Sequence, residues 1–221
     1  MRIESDRLGT IASFDVIAVV MVAASSAKPK IKFLKEPTSQ AWVDLAINNI
    51  DIILLDHAQC ERKAAGTAIQ MMSRYPSSVE LVRELTAIAQ EELSHYTQVN
   101  NWLEKRGIPM KPVSPPPYGA RLKKCVRKQE PDRMLDFLLV SALIEARSHE
   151  RLGLIGEHCL EPELAKFYRS LMASEARHYG SYWLLATTYF NVELVNERLA
   201  ELAEVESDVL RTLHSEPRVH S

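Results

Sequence analysis

The sequence has little glycine, few cysteines and almost no net charge. Only 7 of its 221 residues are glycine, which disfavours a turn-rich all-β fold because tight hairpins rely on glycine. The three cysteines form no CxxC pair, which excludes a zinc ribbon or a rubredoxin-type iron site and predicts free thiols in a reducing compartment. Because the formal net charge is −2, any nucleic-acid binding must come from a local basic patch.

The chain also lacks an uninterrupted apolar run that would cross a membrane. Residues 11–27 are mostly apolar, but Asp15 interrupts them, and a span needs about 20 apolar residues. Asp15 and the two acids that precede the stretch also argue against a signal peptide, although secretion is the alternative that remains. We predict a poorly ordered extension or a start codon assigned too early over residues 1–32, and one cytoplasmic domain without membrane contact over residues 33–221.

Helical periodicity is the main pattern that the chain does have. Apolar residues recur at three- and four-residue intervals in four long segments and one shorter segment. The predicted helices run from Ala41 to about Arg74, from a capping box at Ser77 to a stop at Gly107, onward from Pro131, onward from Pro162, and over residues 192–213.

A long connection separates the second helix from the third. Residues 111–130 include the phrase VSPPPYG, which favours extended, irregular chain. One long crossover between two helix pairs is typical of ferritin-like bundles. We therefore predict an all-α, ferritin-like four-helix bundle with one long crossover and a short fifth helix.

Two of the predicted helices carry the same pattern, Glu-x-x-His-Tyr. The second helix has Glu92 and His95, and the fourth has Glu175 and His178. Residues three apart lie on one face of a helix, so each pair can bind a metal from one side. A single such pair is usually solvated on the surface, but two copies at equivalent positions indicate a metal site.

Two more glutamates complete the predicted set, one from each remaining long helix. Glu61, on the first helix, precedes Glu92 by 31 residues. On the third helix, Glu145 precedes Glu175 by 30 residues, whereas Glu150 precedes it by 25. Because the two halves of such a bundle are related by pseudo-twofold symmetry, we select Glu145 and leave the role of Glu150 open.

These six residues fit two iron ions. Carboxylate oxygens and imidazole nitrogens both bind iron, and four carboxylates balance the charge of two ferrous ions. Without metal, carboxylates buried together would repel one another. Three neighbours stay open: Tyr96 and Tyr179 are packing residues or radical carriers, and His57 either hydrogen-bonds a ligand or is an ordinary core histidine.

The predicted crossover is strongly basic. Residues 101–133 include nine lysines and arginines but only three acidic residues. Such a patch is the footprint expected for phosphate contact, although a charged run is often only a solvated surface. The predicted RNA contacts are Arg121, Lys123, Lys124, Arg127 and Lys128.

The phrases around these residues resemble one known family. LLDHAQCERKAAG, EELSHY, IEARSHERL and SEARHY are similar to the MiaE-type tRNA-(2-methylthio-N6-isopentenyladenosine) hydroxylases, and the resemblance spans about residues 33–210. It implies a di-iron monooxygenase that hydroxylates the isopentenyl side chain of a modified adenosine beside the tRNA anticodon, with the six residues above as iron ligands. An apolar channel would admit that side chain, and Ala64, Ala65 and Ala68 would leave room for it.

The resemblance also implies the partners of the reaction. They are the tRNA anticodon stem-loop, dioxygen and a separate electron-donor reductase, while the oligomeric state stays open. Two alternatives use the same ligands. One is a ferritin-like iron oxidase or peroxide-scavenging protein without a tRNA substrate, and the other is a tRNA-binding module whose metal is structural.

Overall fold

The computed structural model describes residues 33–211 and 214–221. These residues contain seven helices and no strand. None of these helices is long and apolar enough to cross a membrane. The all-α prediction is confirmed, whereas the predicted extension over residues 1–32 lies outside the described residues. The helices are α1 (Gln40–Ile47), α2 (Ile50–Arg74), α3 (Val79–Lys105), α4 (Pro117–Lys124), α5 (Asp132–His158), α6 (Pro162–Tyr189) and α7 (Val192–Leu210).

The four long helices form two hairpins, joined by the predicted crossover. Helix α2 packs along α3, and α5 packs along α6, while α3 and α6 connect the two hairpins. Helix α7 closes the bundle against α5 and α6, and α4 packs against α5 and α7. This arrangement confirms the ferritin-like bundle with one crossover and a fifth helix, which ends three residues earlier than predicted.

Apolar side chains of the long helices form two clusters, one on each side of the middle of the bundle. On α3, Leu85 belongs to the first cluster and Val99 to the second, and Glu92 lies between them. On α6, Leu171 and Leu185 flank Glu175 in the same way. The fold therefore places the predicted polar ligands between two apolar layers.

The predicted first helix is interrupted at Asn48 and Asn49. The side-chain amides of these residues donate to the backbone carbonyls of Asp44 and Leu45, at 2.8 Å in each case. Asparagine side chains compete with the backbone in this way and favour helix ends. The segment is consequently two helices, α1 and α2, where apolar periodicity alone predicted one.

Two further local predictions differ from the structure. Helix α3 begins at Val79 with Ser78 as its N-cap residue and no side-chain cap bond. Glu80 is then the second helical residue, where it cannot complete a capping box with Ser77. The crossover, predicted to be irregular, contains α4, because Pro117 suits a first helical turn and Tyr118 and Leu122 bury one face.

Residues 218–221 of the segment 214–221 are buried against α1, α2 and α5. Trp42 Nε1 donates to the carbonyl of Arg218 at 3.0 Å, and Arg151 donates to the carbonyls of Val219 at 2.6 Å and Ser221 at 2.9 Å. The N–H of Val219 donates to a buried Asp56 carboxylate at 2.8 Å. These bonds fix the segment in the bundle and satisfy its buried backbone groups.

Candidate metal centre

The six predicted ligands lie together in the middle of the bundle, and all six are buried. Their donor atoms form two groups, within each of which the atoms are no more than 4.8 Å apart. Glu92 and Glu175 belong to both groups, so the arrangement suits two ions that share these two carboxylates. The first group is Glu61, Glu92, His95 and Glu175, and the second is Glu92, Glu145, Glu175 and His178.

Several of the donor atoms face one another without forming hydrogen bonds. His178 Nδ1 lies 2.8 Å from Glu92 Oε1, and His95 Nδ1 lies 3.4 Å from Glu61 Oε2, yet all four atoms are buried without a hydrogen-bond partner. Leaving buried polar atoms unpaired destabilises a fold by about 1–3 kcal/mol each. Metal ions would satisfy these atoms at once, so the residues present fit a two-metal centre.

Each ligand histidine contacts a residue on the helix that carries the other Glu-x-x-His motif. In both cases this residue directly precedes the glutamate of that motif. His178 Nε2 lies 3.0 Å from a Glu91 carboxylate oxygen, and His95 Nε2 lies 3.1 Å from Ser174 Oγ. Because the Ser174 hydroxyl donates to the carbonyl of Leu171, its oxygen accepts from His95. Both histidines thus donate from Nε2 and leave Nδ1 free for a metal, as histidine ligands commonly do.

Among the residues whose roles were left open, His57 contacts the cluster. His57 Nε2 is 2.5 Å from Glu61 Oε1, so His57 contacts a predicted ligand. Tyr179 packs against Phe33, and Tyr96 packs against the second apolar cluster. Glu150 accepts hydrogen bonds from Thr38, so it binds the chain ahead of α1 and does not belong to either donor group.

Burial and mutual repulsion dominate the electrostatics of the cluster. Burial, with nearby carboxylates, raises the pKa of Glu92 and Glu175 well above the ordinary value. Burial also raises the pKa of Glu145 to about 7. For Glu61, burial opposes ionisation, but His57 and His95 outweigh it and hold the pKa well below the ordinary value. Bound cations would reverse this pattern by stabilising every carboxylate in its ionised form.

The contribution of Glu145 to the stability of the metal-free protein is expected to fall as the pH rises from about 4.5 to about 7. In this window folded Glu145 keeps its proton, whereas unfolded Glu145 loses it at the ordinary pKa of 4.5. Unfolding then releases a proton, so a rising pH favours it. Urea unfolding of the metal-free wild type and Glu145→Gln at several pH values measures the difference. Equal pH slopes for the two proteins would contradict this prediction.

A cavity of about 520 Å³ leads from the cluster to the surface. Glu145 lies on its wall, and exposed residues of α2 and α4, including Lys63 and Lys123, also line it. Ala64 lines the cavity, whereas Ala65 and Ala68 are buried in helix packing. Its other walls are mainly apolar and aromatic, and they include Tyr118, Val126, Phe137, Val140, Ile144, Tyr182 and His220.

Sequence reasoning did not identify several of these residues. Glu91 and Ser174 precede Glu92 and Glu175 directly, so comparison of the two motifs would have singled out their positions, but their contacts cross between helices. His220 belongs to the buried residues 218–221 and reaches the cavity, where it stacks on Tyr118 at a ring distance of 4.9 Å. Nothing in the local pattern around residue 220 indicates this contact.

The five basic residues predicted to contact RNA lie in or just after α4. Arg121, Lys123, Lys124 and Lys128 are exposed, and among the described residues none of the four has an ion-pair partner. Arg127 is different, because its guanidinium donates to both carboxylate oxygens of Asp136 and contacts Asp132. The other four residues therefore present free positive charges, and one of them, Lys123, lines the cavity.

Comparisons with known proteins agree with the sequence resemblance. Residues 25–221 match a family model described as tRNA-(MS[2]IO[6]A)-hydroxylase (MiaE). A tRNA 2-(methylsulfanyl)-N(6)-isopentenyladenosine(37) hydroxylase from Pseudomonas putida is 38% identical over 189 residues, covering 86% of this chain and 92% of the relative. The enzyme of the same description from Salmonella typhimurium is 30% identical over 242 residues, covering 87% of this chain and 89% of the relative.

A solved structure also resembles this chain. It is described as protein 43 with aldehyde deformylating oxygenase activity from Synechococcus. The TM-score is 0.84 and the sequence identity is 47%, over 86% of this chain and 96% of the other.

Proposed function

This chain belongs to the tRNA-(MS[2]IO[6]A)-hydroxylase (MiaE) family, and we propose that it hydroxylates the isopentenyl side chain of 2-methylthio-N6-isopentenyladenosine in tRNA at a di-iron centre. One observation carries the proposal. A cavity that reaches Glu145 also reaches the basic crossover at Lys123, so one site joins the six buried donor residues to an RNA-compatible surface.

The proposed iron ligands are the six residues of the two donor groups. Four carboxylates and two imidazoles match the donor preference of iron, and Glu92 and Glu175 are placed to be shared between two ions. Bound iron would supply the activation of dioxygen that inserts one oxygen atom into a C–H bond. The proposed metal ligands are Glu61, Glu92, His95, Glu145, Glu175 and His178.

The chain's own residues would position the substrate and exclude water. Val140, Ile144 and Ala64 offer apolar contacts on the walls that include Glu145, which suits a branched hydrocarbon side chain. A cavity of about 520 Å³ lies within the roughly 300–1,000 Å³ range of sites that enclose small organic groups. We propose that the isopentenyl group enters first and that the adenine follows it, filling the cavity and displacing its water.

The proposed partners follow from this reaction. Insertion of one oxygen atom from dioxygen reduces the other to water, which consumes two electrons and two protons. Because the sequence has no CxxC pair for a rubredoxin-type site, we propose a separate reductase as the electron donor. Phosphates of the anticodon stem-loop would be contacted by four exposed residues, Arg121, Lys123, Lys124 and Lys128. Arg127 would not take part, because its guanidinium is paired with carboxylates of the chain itself. A tRNA substrate places the reaction in the cytoplasm.

A second candidate function is aldehyde deformylation, and the 47% identity to the Synechococcus protein favours it. A largely apolar cavity beside the donor cluster would also hold a long alkyl aldehyde. The two candidate functions differ in what they require of the surface around the cavity. A neutral aldehyde does not need exposed cations there, whereas an RNA backbone binds to them. The unpaired lysines of the crossover and Arg121 therefore favour the tRNA substrate.

Product analysis tests the proposal directly. The iron-loaded protein is incubated with dioxygen, a reductant and tRNA that carries the 2-methylthio-N6-isopentenyl group, and the digested nucleosides are examined by mass spectrometry. We expect a nucleoside heavier by one oxygen atom, which is absent when the tRNA lacks the isopentenyl group. A parallel reaction contains a long-chain aldehyde instead of tRNA.

Each other outcome points to one alternative. Conversion of the aldehyde without oxygenation of tRNA would replace the proposal with deformylation. Ferrous oxidation or peroxide consumption without either product would indicate an iron oxidase or peroxide scavenger. Binding of tRNA by a fully loaded protein that forms no product with any reductant would indicate a tRNA-binding module with structural metal.

A further inference from the structure

Two lysines from distant parts of the chain line the entrance of the cavity. Lys63 is on α2, and Lys123 is on α4 in the crossover. Both side chains are exposed, and neither forms an ion pair or a side-chain hydrogen bond with another of the described residues. The entrance thus has one unpaired ammonium group from each of two helices. Lys123 belongs to the basic run in the sequence, whereas Lys63 does not.

The size of the cavity restricts which part of an RNA can enter. About 520 Å³ accommodates one modified nucleobase but not a stem or a stacked loop. Enzymes that modify a base inside such a pocket take the nucleotide out of its stack, while its backbone stays outside. The phosphates on the two sides of the inserted nucleotide would therefore remain at the entrance, where Lys63 and Lys123 lie.

We propose that Lys63 and Lys123 bind the RNA phosphates on the two sides of the nucleotide that is inserted into the cavity. The proposal rests on the proposed tRNA substrate and adds α2 to the RNA-binding surface. The apolar walls of the inner cavity exclude a charged phosphate. With its phosphates held by the two lysines at the entrance, the nucleotide would enter with its base first. Lys124 and Lys128 do not line the cavity, and they would contact more distant parts of the backbone.

Salt-dependent binding tests the lysine contacts. The iron-loaded protein is titrated with a fluorescent anticodon stem-loop carrying the modified nucleotide, by anisotropy at several potassium chloride concentrations. Each lost contact with single-stranded RNA should lower the slope of log K against log salt by about 0.7. We expect this change for Lys63→Ala and Lys123→Ala, together with a roughly three- to tenfold weaker Kd at low salt. Lys63→Arg should retain both the slope and the affinity.

Lys166→Ala is the matched control, because Lys166 is exposed on α6 and does not line this cavity. It should leave the slope and the Kd unchanged. In turnover assays, Lys63→Ala should raise KM for RNA without changing kcat or iron content, because Lys63 is outside the donor cluster. A stem-loop with a neutral methylphosphonate beside the modified nucleotide should abolish the effect of one of the two alanine substitutions.

The outcomes separate this inference from the proposed function. If the wild type forms the hydroxylated nucleoside but Lys63→Ala binds RNA with the wild-type slope and Kd, the phosphate contact is wrong and the hydroxylase is retained. Equal effects of Lys63→Ala and Lys166→Ala would also overturn it, since they would show only a general loss of positive charge. If the wild type forms no product at all, the proposed function itself fails.

Discussion

Glu92→Ala is expected to abolish hydroxylation and to remove bound iron. Glu92 belongs to both donor groups, so its loss removes a ligand from each proposed ion. Loss of a residue that only orients a ligand commonly lowers metal affinity or activity by about 10–100-fold, and loss of a shared ligand should exceed about a hundredfold. Iron content per chain and the yield of the oxygenated nucleoside measure the two effects.

Glu84→Ala is the matched control for this change. Glu84 is on the same helix, two turns before Glu92, and its side chain is exposed. It should keep its iron and its activity. Circular dichroism of metal-free Glu92→Ala checks that the variant folds. A folded variant that retained two irons and wild-type turnover would remove Glu92 from the proposed centre, and with it the assignment of Glu92 and Glu175 as shared ligands.

The clustering of the six residues could be predicted from the sequence because they follow local rules that repeat. Each Glu-x-x-His pair is fixed by helical spacing alone, and the choice of Glu145 over Glu150 followed from a symmetry that the structure retains. Glu150 lies only five residues further along α5, yet it hydrogen-bonds Thr38. A shift of five residues moves a side chain to a different part of the helix surface.

The features that the sequence did not predict depend on contacts between distant segments. The cavity has walls from α2, α4, α5, α6 and the segment 214–221, and no window of neighbouring residues contains that information. Arg127 shows the same limit, since its charge is part of a basic run but its partner Asp136 is on α5. The break at Asn48 is local, and the two consecutive asparagines were the available signal for it.

Arg147→Met is expected to lower the free energy of unfolding by about 3–5 kcal/mol, because it leaves a buried carboxylate without its cation. Arg147 and Glu206 are both fully buried. Arg147 donates to the two Glu206 oxygens at 2.8 Å and 2.9 Å, and Tyr118 donates its hydroxyl to Glu206 at 2.9 Å. The matched control is Arg211→Met, which removes an exposed pair with Asp208 and should change stability by at most about 1 kcal/mol.

The double variant Arg147→Met/Glu206→Leu separates stability from the shape of the cavity. Replacing both members of a buried pair with apolar residues is often neutral or stabilising, so the urea midpoint should rise above that of Arg147→Met. It should stay below the wild-type midpoint, because the hydroxyl of Tyr118 and the carbonyl of Glu36 still lose their partners. Tyr118 would still lose its acceptor on α7, and Tyr118 is a wall of the cavity that stacks on His220. We therefore expect the double variant to regain part of the stability lost in Arg147→Met and to bind iron as the wild type does, but to have a raised KM for tRNA. Full recovery of KM would mean that the buried pair contributes only to folding, and that packing alone holds α4 over the cavity.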